Sequence, residues 1–359
     1  MQSAHQVGPV KIKALLSAFS TPENILESSD HEITAAAKIT SASLKKIRES
    51  QKNYQAFLKE ASVQIEWLKK YNAKIAFFND DDFPLPLRNI YDIPLYIYML
   101  GEYTQADIQS LAIVGTRTPT GYGKKVTETI TGSLTDYNFT IISGLARGVD
   151  SIAHSTALKK GGRTIAVLGT GLDKIYPAEN RNLAIDIIKS GCLITEFAPG
   201  TKPDPQNFPR RNRLISGLSR GTLVVESGLK GGSLYTAEFA LDQGKEVFAI
   251  PGNINSTHSD GTNALIQRGE AKLVMNTEDI LKELNVPVKQ PAEKPAPEPQ
   301  PELNLFESKI FSALSSEPKH IDVVAAESGL SITDCLVNLL TLQFKGVVNQ
   351  LPGKYYTRI

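Results

Sequence analysis

Cysteine and net charge are both scarce in this sequence of 359 residues. Its two cysteines, Cys192 and Cys335, lie far apart and lack the spacing of metal ligands. The sequence therefore predicts neither a disulfide-bonded scaffold nor a zinc module, and a reducing compartment fits it best. The formal net charge is only +1, so any nucleic-acid surface has to be a local concentration of Arg and Lys.

Long apolar runs are absent as well. No run approaches the roughly 20 residues that a membrane-spanning helix needs. Lys11 and Lys13 are not followed by the apolar core of a signal peptide. We therefore expect a cytoplasmic protein with no membrane partner. With 41% hydrophobic and 21% charged residues, the chain has material for a large core, and its length predicts two or three folded units.

The motifs of common nucleotide-using enzymes are also missing. No G-x-x-x-x-G-K-[ST] occurs, and the first glycine turn reads Gly115-Thr116-Arg117-Thr118-Pro119 instead of G-x-G-x-x-G. His154 has apolar neighbours and no acid or cysteine at triad spacing, and His258 lies in a polar stretch. We interpret both histidines as structural, and we expect no catalytic residue, no metal and no cofactor.

Four regions differ in their residue pattern. Residues 1–72 have apolar residues at helical spacing and predict a helical domain, with Gly8–Lys13 opening its first helix. That segment fits either a helix-hairpin-helix that grips phosphates through backbone N–H groups or simply a capped helix in a small bundle, the simpler alternative. Residues 286–302 are rich in proline and predict an extended linker.

Residues 73–285 alternate short apolar runs with amphipathic segments, which predicts βαβ crossovers and a mainly parallel α/β sheet covered on both faces. Ligands of such sheets bind beyond the carboxyl ends of the strands. The predicted strands are Leu111–Gly115, Phe139–Gly144, Thr164–Gly169, Cys192–Glu196, Thr222–Glu226, Val247–Pro251 and Lys272–Met275.

Residues 303–359 predict a winged helix, with helices at Leu305–Leu314, Ile321–Ser328 and Thr333–Phe344 before a terminal hairpin that turns at Pro352-Gly353. From Leu303 onward, five Lys or Arg meet five Asp or Glu. Because phosphate contacts need positive charge, we expect this domain to serve protein contact or regulation rather than strong DNA binding.

Several predicted strands end in glycine turns at the same sheet edge. Glycine permits a close backbone approach, and a following helix N-terminus offers free N–H groups to an anion. One such turn is weak support, but the repetition favours a phosphate-bearing ligand. The glycines we select are Gly115, Gly144, Gly169 and Gly171.

Cations follow the same turns: Arg117, Arg147 and Lys174, and then the densest group, Phe208-Pro209-Arg210-Arg211-Asn212-Arg213, just before a predicted apolar helix. Arginine matches phosphate oxygens with a planar fork. The three arginines of the dense group cannot share one face, so we expect at least one to be structural, paired with Asp150 or Glu226. Tyr176 and Phe208 offer base-stacking faces or core packing.

One segment, Gly231–Glu238, has an enzyme-like pattern. Its glycines and hydroxyls fit a nucleotide phosphate, with Glu238 as acid or base. A simpler interpretation of Ser233 is the cap of a buried helix.

Five linked motifs resemble the DNA-processing protein A (DprA/Smf) family over nearly the whole chain. They are Ile113–Arg117, Ser143–His154, Asn207–Ser216, Gly232–Ala237, and Ile250–Asn253 with Gly261–Ile266.

The resemblance implies an extended Rossmann-like core between a helical N-terminal domain and a C-terminal winged helix. It further implies single-stranded DNA binding, a homodimer formed through the core, and loading of the RecA recombinase in natural transformation. The DNA-binding positions that it implies are Arg117, Lys174, Arg210, Arg211, Asn212 and Arg213. Two rivals stay open: a nucleoside-monophosphate phosphoribohydrolase that depends on Glu238, and an adaptor whose main surface is for the recombinase.

Overall fold

The computed structural model describes residues 7–288, 303–315 and 317–358, which fall into two compact units divided between Val288 and Lys289. Of the predicted linker 286–302, residues 289–302 lie outside the described part. The boundaries that we predicted at residues 72, 285 and 303 stay predictions.

The first unit opens with five helices, and the first four begin at side-chain caps or at proline. Ser29 and Glu32 form a capping box, and the Thr21 and Thr40 hydroxyls accept from the backbone N–H groups of Asn24 and Ser43. The buried faces of these helices meet in one apolar cluster that also includes Leu95 of the following segment. The N-terminal helical prediction is confirmed. The helices are α1 (Pro9–Phe19), α2 (Pro22–Glu27), α3 (Asp30–Ala37), α4 (Ser41–Lys52) and α5 (Tyr54–Lys70).

A nine-stranded sheet follows in the described residues, with the order β1-β2-β6-β5-β4-β3-β7-β8-β9. Strands β3 to β9 pair in parallel, whereas β1 and β2 are antiparallel additions at one edge. The strands are β1 (Lys74–Phe77), β2 (Tyr96–Gly101), β3 (Ser110–Val114), β4 (Thr140–Ser143), β5 (Thr164–Val167), β6 (Cys192–Thr195), β7 (Gly221–Val224), β8 (Glu246–Ala249) and β9 (Lys272–Leu273).

All seven predicted strands are present, and the mainly parallel Rossmann-like sheet is confirmed. Two strands were missed: β1 has only four residues with one of them buried, and β2 has six residues with three of them buried. The chain runs outward from β3 through β4, β5 and β6, then returns to place β7 on the other side of β3. The carboxyl ends of β3 and β7 therefore flank a topological switch point, where such sheets bind ligands.

Helices cover both faces of this sheet, and two apolar clusters fill the space beneath them. One of these helices corrects the sequence interpretation: α9 begins at Asn207, six residues before the predicted start at Arg213. The helices are α6 (Gly121–Asp136), α7 (Val149–Lys159), α8 (Arg181–Ser190), α9 (Asn207–Leu218), α10 (Gly232–Asp242), α11 (Asp260–Gln267) and α12 (Thr277–Glu283).

Pro209 thus lies in the first turn of α9, which is possible because the first N–H groups of a helix have no intrahelical partner. The basic segment is helical, and successive arginines point to different sides of α9.

The second unit is a winged helix, as predicted. Three helices surround an apolar cluster that includes Ile310, Val324, Leu339 and Tyr356. The wing pairs β11 with β12, and the short β10 extends it to three strands. The elements are α13 (Leu305–Ala313), β10 (Lys319–His320), α14 (Ile321–Ser328), α15 (Ile332–Phe344), β11 (Val348–Leu351) and β12 (Tyr355–Arg358).

Among the described residues, no single helix has the length and apolar character needed to cross a bilayer. Only α14 and α15 taken together reach that length and composition, and a bend of 102° separates them.

Candidate functional site

A cleft of about 540 Å³ opens at the carboxyl edge of the sheet, beside the switch point between β3 and β7. Turns after β3, β4, β5 and β7 border it, together with the first turns of α9 and α10. Its lining includes Gly115, Thr116, Arg117, Ala146, Asp150, Tyr176, Phe208, Arg211, Asn212, Ile215, Ser227, Gly228, Gly231, Gly232, Ser233, Tyr235 and Thr236. A smaller cavity beside it adds Gly144, Arg147 and Pro177.

The turn after β3 presents Arg117 to the cleft. A Cβ atom on Gly115 would lie 2.7 Å from the Val149 side chain, so only glycine lets α7 pack this close to the strand end. Arg117 itself is exposed, and within the described residues it forms no hydrogen bond or ion pair. Its charge is therefore available to an anion.

The turn after β4 is built around the buried carboxylate of Asp150. One oxygen, Asp150 Oδ2, accepts from the backbone N–H of Gly144 at 3.0 Å and of Ala146 at 3.2 Å. Gly148 has φ +75°, and a Cβ there would lie 2.4 Å from the Thr116 carbonyl oxygen. The turns after β3 and β4 are thus locked together at positions that favour glycine.

The Arg147 side chain lies on the surface beside this turn and forms a two-pronged ion pair with Glu179. Its Nε lies 2.5 Å from Glu179 Oε1, and its Nη2 lies 2.8 Å from Oε2. Next to it, the Asn180 amide donates to the Leu145 carbonyl at 2.8 Å, so the loop before α8 is attached to the turn after β4.

In the loop after β5, Tyr176 lines the cleft, whereas Lys174 lies outside its lining. Lys174 is exposed, with its Nζ 3.6 Å from Asp173. Gly169 and Gly171 are buried, and a Cβ on them would meet the Phe208 ring at 2.9 Å and the Ala198 carbonyl oxygen at 2.5 Å. These two glycines make room for protein groups, and their role in DNA binding stays a prediction.

The first turns of α9 send their side chains in three directions. Arg210 is exposed and forms no hydrogen bond or ion pair within the described chain. Phe208 lies at the rim, with its ring centroid 5.6 Å from that of Tyr176.

Arg211 is buried beneath the cleft floor, where its guanidinium donates to the carbonyl oxygens of Gly144, at 2.8 Å, and of Val167. A Cβ on Gly144 would lie 2.6 Å from Arg211 Nη2, which explains the glycine. Asn212 lines the cleft, accepting from Arg211 Nε at 3.2 Å and donating to the Gly232 carbonyl at 3.2 Å.

Arg213 does not line the cleft. Its guanidinium donates to both Glu196 oxygens, at 2.7 and 2.6 Å, and lies 3.2 Å from Asp92 Oδ2. The expectation that at least one arginine is structural is confirmed: Arg213 pairs with Glu196, which we did not expect, and the buried Arg211 interacts with Asp150, one of the two acids that we expected. The other expected acid, Glu226, instead accepts from the Thr120 backbone and hydroxyl.

Burial sets the protonation of the groups under the cleft. It lowers the pKa of the Arg211 guanidinium to about 10, which still leaves the group charged at neutral pH. It raises the pKa of Asp150, and the neighbouring Arg211 guanidinium opposes that rise. Burial, with help from Arg211, lowers the pKa of His154 to about 3, so this histidine is neutral. Its Nδ1 lies 2.6 Å from Thr164 Oγ1, in keeping with the structural role that we expected.

The opposite wall of the cleft carries hydroxyls and no cation among the residues that line it. The simpler interpretation of Ser233 as a helix cap is wrong. Gly231 occupies the N-cap position of α10, without a side-chain hydrogen bond, and Ser233 Oγ donates to Ser227 Oγ at 3.0 Å. Glu238 is exposed on α10 and lies outside the lining.

Sequence reasoning missed Asp150, Ser227 and Tyr235 as members of the cleft. Asp150 was considered only as an arginine partner, and its position two residues after Gly148 was the available signal. Tyr235 is half exposed and belongs to a motif that we had examined for its glycines. Within the described ranges, no three His, Cys, Asp or Glu side chains are grouped as metal ligands.

Two family models match the chain. The model of DNA recombination-mediator protein A covers residues 74–285, and the model of the DprA winged helix domain covers residues 294–354.

Among known proteins, Protein Smf of Synechocystis sp. is 34% identical, with 98% of this chain and 96% of the relative covered. Protein Smf of Escherichia coli is 35% identical over 86% of this chain and 84% of its own. DNA processing protein DprA of Bacillus subtilis is 44% identical over 58% of this chain and 71% of its own.

Two solved structures have the same architecture. DNA processing protein A from Streptococcus pneumoniae matches with a TM-score of 0.67 and 33% identity, covering 78% of this chain and 95% of that one. DNA processing protein A from Helicobacter pylori, studied for its single-stranded DNA binding mode, matches with a TM-score of 0.54 and 32% identity. That match covers 60% of this chain and 96% of the other.

Proposed function

The chain belongs to the DNA recombination-mediator protein A (DprA/Smf) family, and from this premise we propose that it binds single-stranded DNA without regard to sequence. One observation carries the proposal: four exposed cations surround the turns at one sheet edge, in a protein of net charge +1. They are Arg117, Arg147, Lys174 and Arg210. Several exposed cations suit a chain of phosphates better than a single small anion.

The buried groups support this surface from below. Gly144 lets Arg211 and Gly169 lets Phe208 pack close to the strand ends, while Gly171 makes room for the Ala198 carbonyl. Arg211 adds a positive charge under the cleft floor. Arg213 contributes by holding α9 against Glu196, and Asn212 by lining the cleft. The direct phosphate contacts in our proposal are those of the exposed cations.

Aromatic side chains favour a single strand over a duplex. Tyr176 and Tyr235 are each about half exposed at the cleft, and Phe208 lies between Tyr176 and Arg211. Unstacked bases can stack on such rings whatever their sequence, whereas paired bases cannot reach them.

The test is fluorescence anisotropy with labelled single-stranded and duplex DNA of equal length, across a salt series. We expect a preference for the single strand that the Arg117→Ala, Lys174→Ala double variant loses. Weak binding by the wild-type protein without strand preference would contradict the proposal.

A non-enzymatic role is part of the same proposal. Glu238 lies off the cleft, and the buried Asp150 carboxylate is engaged by two backbone N–H groups of its own turn. Neither carboxylate is placed to act on a bound nucleotide. Release of free base from a nucleoside monophosphate, abolished by Glu238→Ala, would show the phosphoribohydrolase alternative instead.

We further propose that the protein works in the bacterial cytoplasm as a homodimer that loads the RecA recombinase onto single strands during natural transformation. Family membership supports this finer role. Light scattering tests the dimer, and RecA filament assembly on DNA coated by this protein tests the loading. A variant that binds DNA normally yet fails to load the recombinase would favour the adaptor alternative.

A further inference from the structure

Two of the four exposed cations already have an anion of the protein beside them: Lys174 lies 3.6 Å from Asp173, and Arg147 forms a closer, two-pronged contact. The Arg147 guanidinium is forked onto the Glu179 carboxylate through two N–H to oxygen contacts of 2.5 and 2.8 Å. The two side chains are 61% and 53% exposed, so the pair lies in water at the cleft rim. Arg117 and Arg210 have no such partner within the described residues.

We propose that Glu179 occupies the Arg147 guanidinium in the free protein and that a DNA phosphate replaces it when the strand binds. Glu179 would thereby set both the affinity for single-stranded DNA and the salt dependence of that binding. The inference rests on the proposed function. A carboxylate and a phosphate present the same pair of oxygens to an arginine fork, and only one of them can fill it. Because an exposed ion pair is weak, a phosphate can replace Glu179 at little cost.

The loop that carries Glu179 does not need this ion pair to stay in place. The next residue, Asn180, donates to the Leu145 carbonyl at 2.8 Å and to Ser151 Oγ at 2.9 Å. These bonds attach the start of α8 to the turn after β4 whether or not Arg147 is paired. Arg147 is therefore free to exchange partners without release of the loop.

The exchange has a measurable electrostatic consequence. While Glu179 is paired, Arg147 contributes no net charge, and its binding to a phosphate releases little counterion. Removing the carboxylate turns Arg147 into a full cation at the rim. Because no carboxylate is displaced in that protein, the contact between Arg147 and a phosphate counts in full, and the logarithmic salt dependence of single-strand binding steepens by roughly 0.7.

The variant that tests this is Glu179→Gln, which keeps the size and removes the charge. We expect single-stranded DNA to bind about two- to fivefold more tightly at low salt, the range for an exposed ion pair, with the steeper slope. The matched control is Glu128→Gln, since Glu128 is exposed on α6 and forms no ion pair in the described part of the chain. That control should change neither quantity appreciably.

A second background separates exchange from general repulsion. In an Arg147→Ala protein, Glu179→Gln should raise the affinity for single-stranded DNA no more than the Glu128→Gln control does. Two results would overturn the inference without touching the proposed function: an equal rise in affinity with and without Arg147, or weaker DNA binding by Glu179→Gln itself. Failure of the wild-type protein to bind single strands would instead remove the proposed function.

Discussion

At the residue scale, α9 separates two kinds of arginine that look alike in the sequence. Arg210 is exposed and free of hydrogen bonds and ion pairs within the described chain, whereas the Arg213 side chain is only 8% exposed against Glu196. A buried charge that loses its partner is costly, but an exposed one is not. The helix therefore combines an exposed cation and a structural cation three residues apart.

This difference predicts opposite effects for two matched substitutions. Arg213→Ala should lower the free energy of unfolding by about 3–5 kcal/mol, because it leaves the Glu196 carboxylate buried and unpaired. Arg210→Ala should change it by less than about 0.5 kcal/mol and should weaken single-strand binding. Urea unfolding and DNA titration check the pair. Equal free energies of unfolding for the two variants would show that Arg213 has no structural role.

His154 adds a pH response that belongs to one residue. Its pKa is about 3 in the folded protein against 6.5 when exposed, so the folded state binds fewer protons and loses stability as pH falls below 6.5. The loss from this residue should be about 1.4 kcal/mol per pH unit. The expected result is a shallower decline between pH 6.5 and 4.5 in His154→Leu than in wild type. Parallel unfolding curves over that interval would show that the histidine is not buried as described.

At the scale of elements, the turns after β3 and β4 form one unit through Gly148. Its φ is +75°, and a Cβ at this position would lie only 2.4 Å from the Thr116 oxygen, which leaves no place for a side chain. Gly121, the first residue of α6, has open space around its Cα instead.

Gly148→Ala should therefore displace the Arg117 turn, lowering stability by at least about 1 kcal/mol and weakening single-strand binding as well. Gly121→Ala should leave both unchanged or slightly improved. Thermal unfolding and anisotropy of the two variants provide the check. Wild-type binding by Gly148→Ala would show that the two turns are not coupled.

The sequence predicted the elements well where burial was continuous. Strands β3 to β8 are short, largely buried apolar runs, and each was found from that pattern; β9 was found although both of its residues are exposed. The edge strand β1 escaped because only one of its four residues is buried, and β2 was missed although it buries three of its six residues between β1 and β6. The start of α9 was placed too late because Pro209 and three arginines are typical of a loop, although the first turn of a helix tolerates them.

The cleft was predictable only in part. Cations after strand ends were visible, since the carboxyl ends of parallel strands meet at one edge. The partners of those cations were not: Glu179 for Arg147 and Glu196 for Arg213 depend on loop packing between distant segments. The role of Gly169 and Gly171 in making room for protein groups depends on the same packing.

At the scale of the whole molecule, the winged helix has no excess of positive charge. The winged helix has five Lys or Arg and five Asp or Glu. Its helix α15 has neither Lys nor Arg, and it exposes Leu336, Val337, Leu340 and Phe344. A helix of that composition suits a protein surface better than a phosphate backbone.

A chain that ends at Val288 should accordingly bind single-stranded DNA within about twofold of the full protein and with the same salt slope. Anisotropy on both proteins at three salt concentrations measures this. A slope that flattens by one unit or more in the shorter chain would assign phosphate contacts to the winged helix.

The central claim is that exposed cations at the carboxyl edge of the sheet contact the phosphates of a single strand. Its most direct measurement is the logarithmic salt slope of single-strand binding for wild type and for Arg117→Ala, Lys174→Ala. Each lost contact should flatten the slope by roughly 0.7, or about 1.4 for the pair. An unchanged slope in a folded double variant would contradict the claim and place the DNA elsewhere on the molecule.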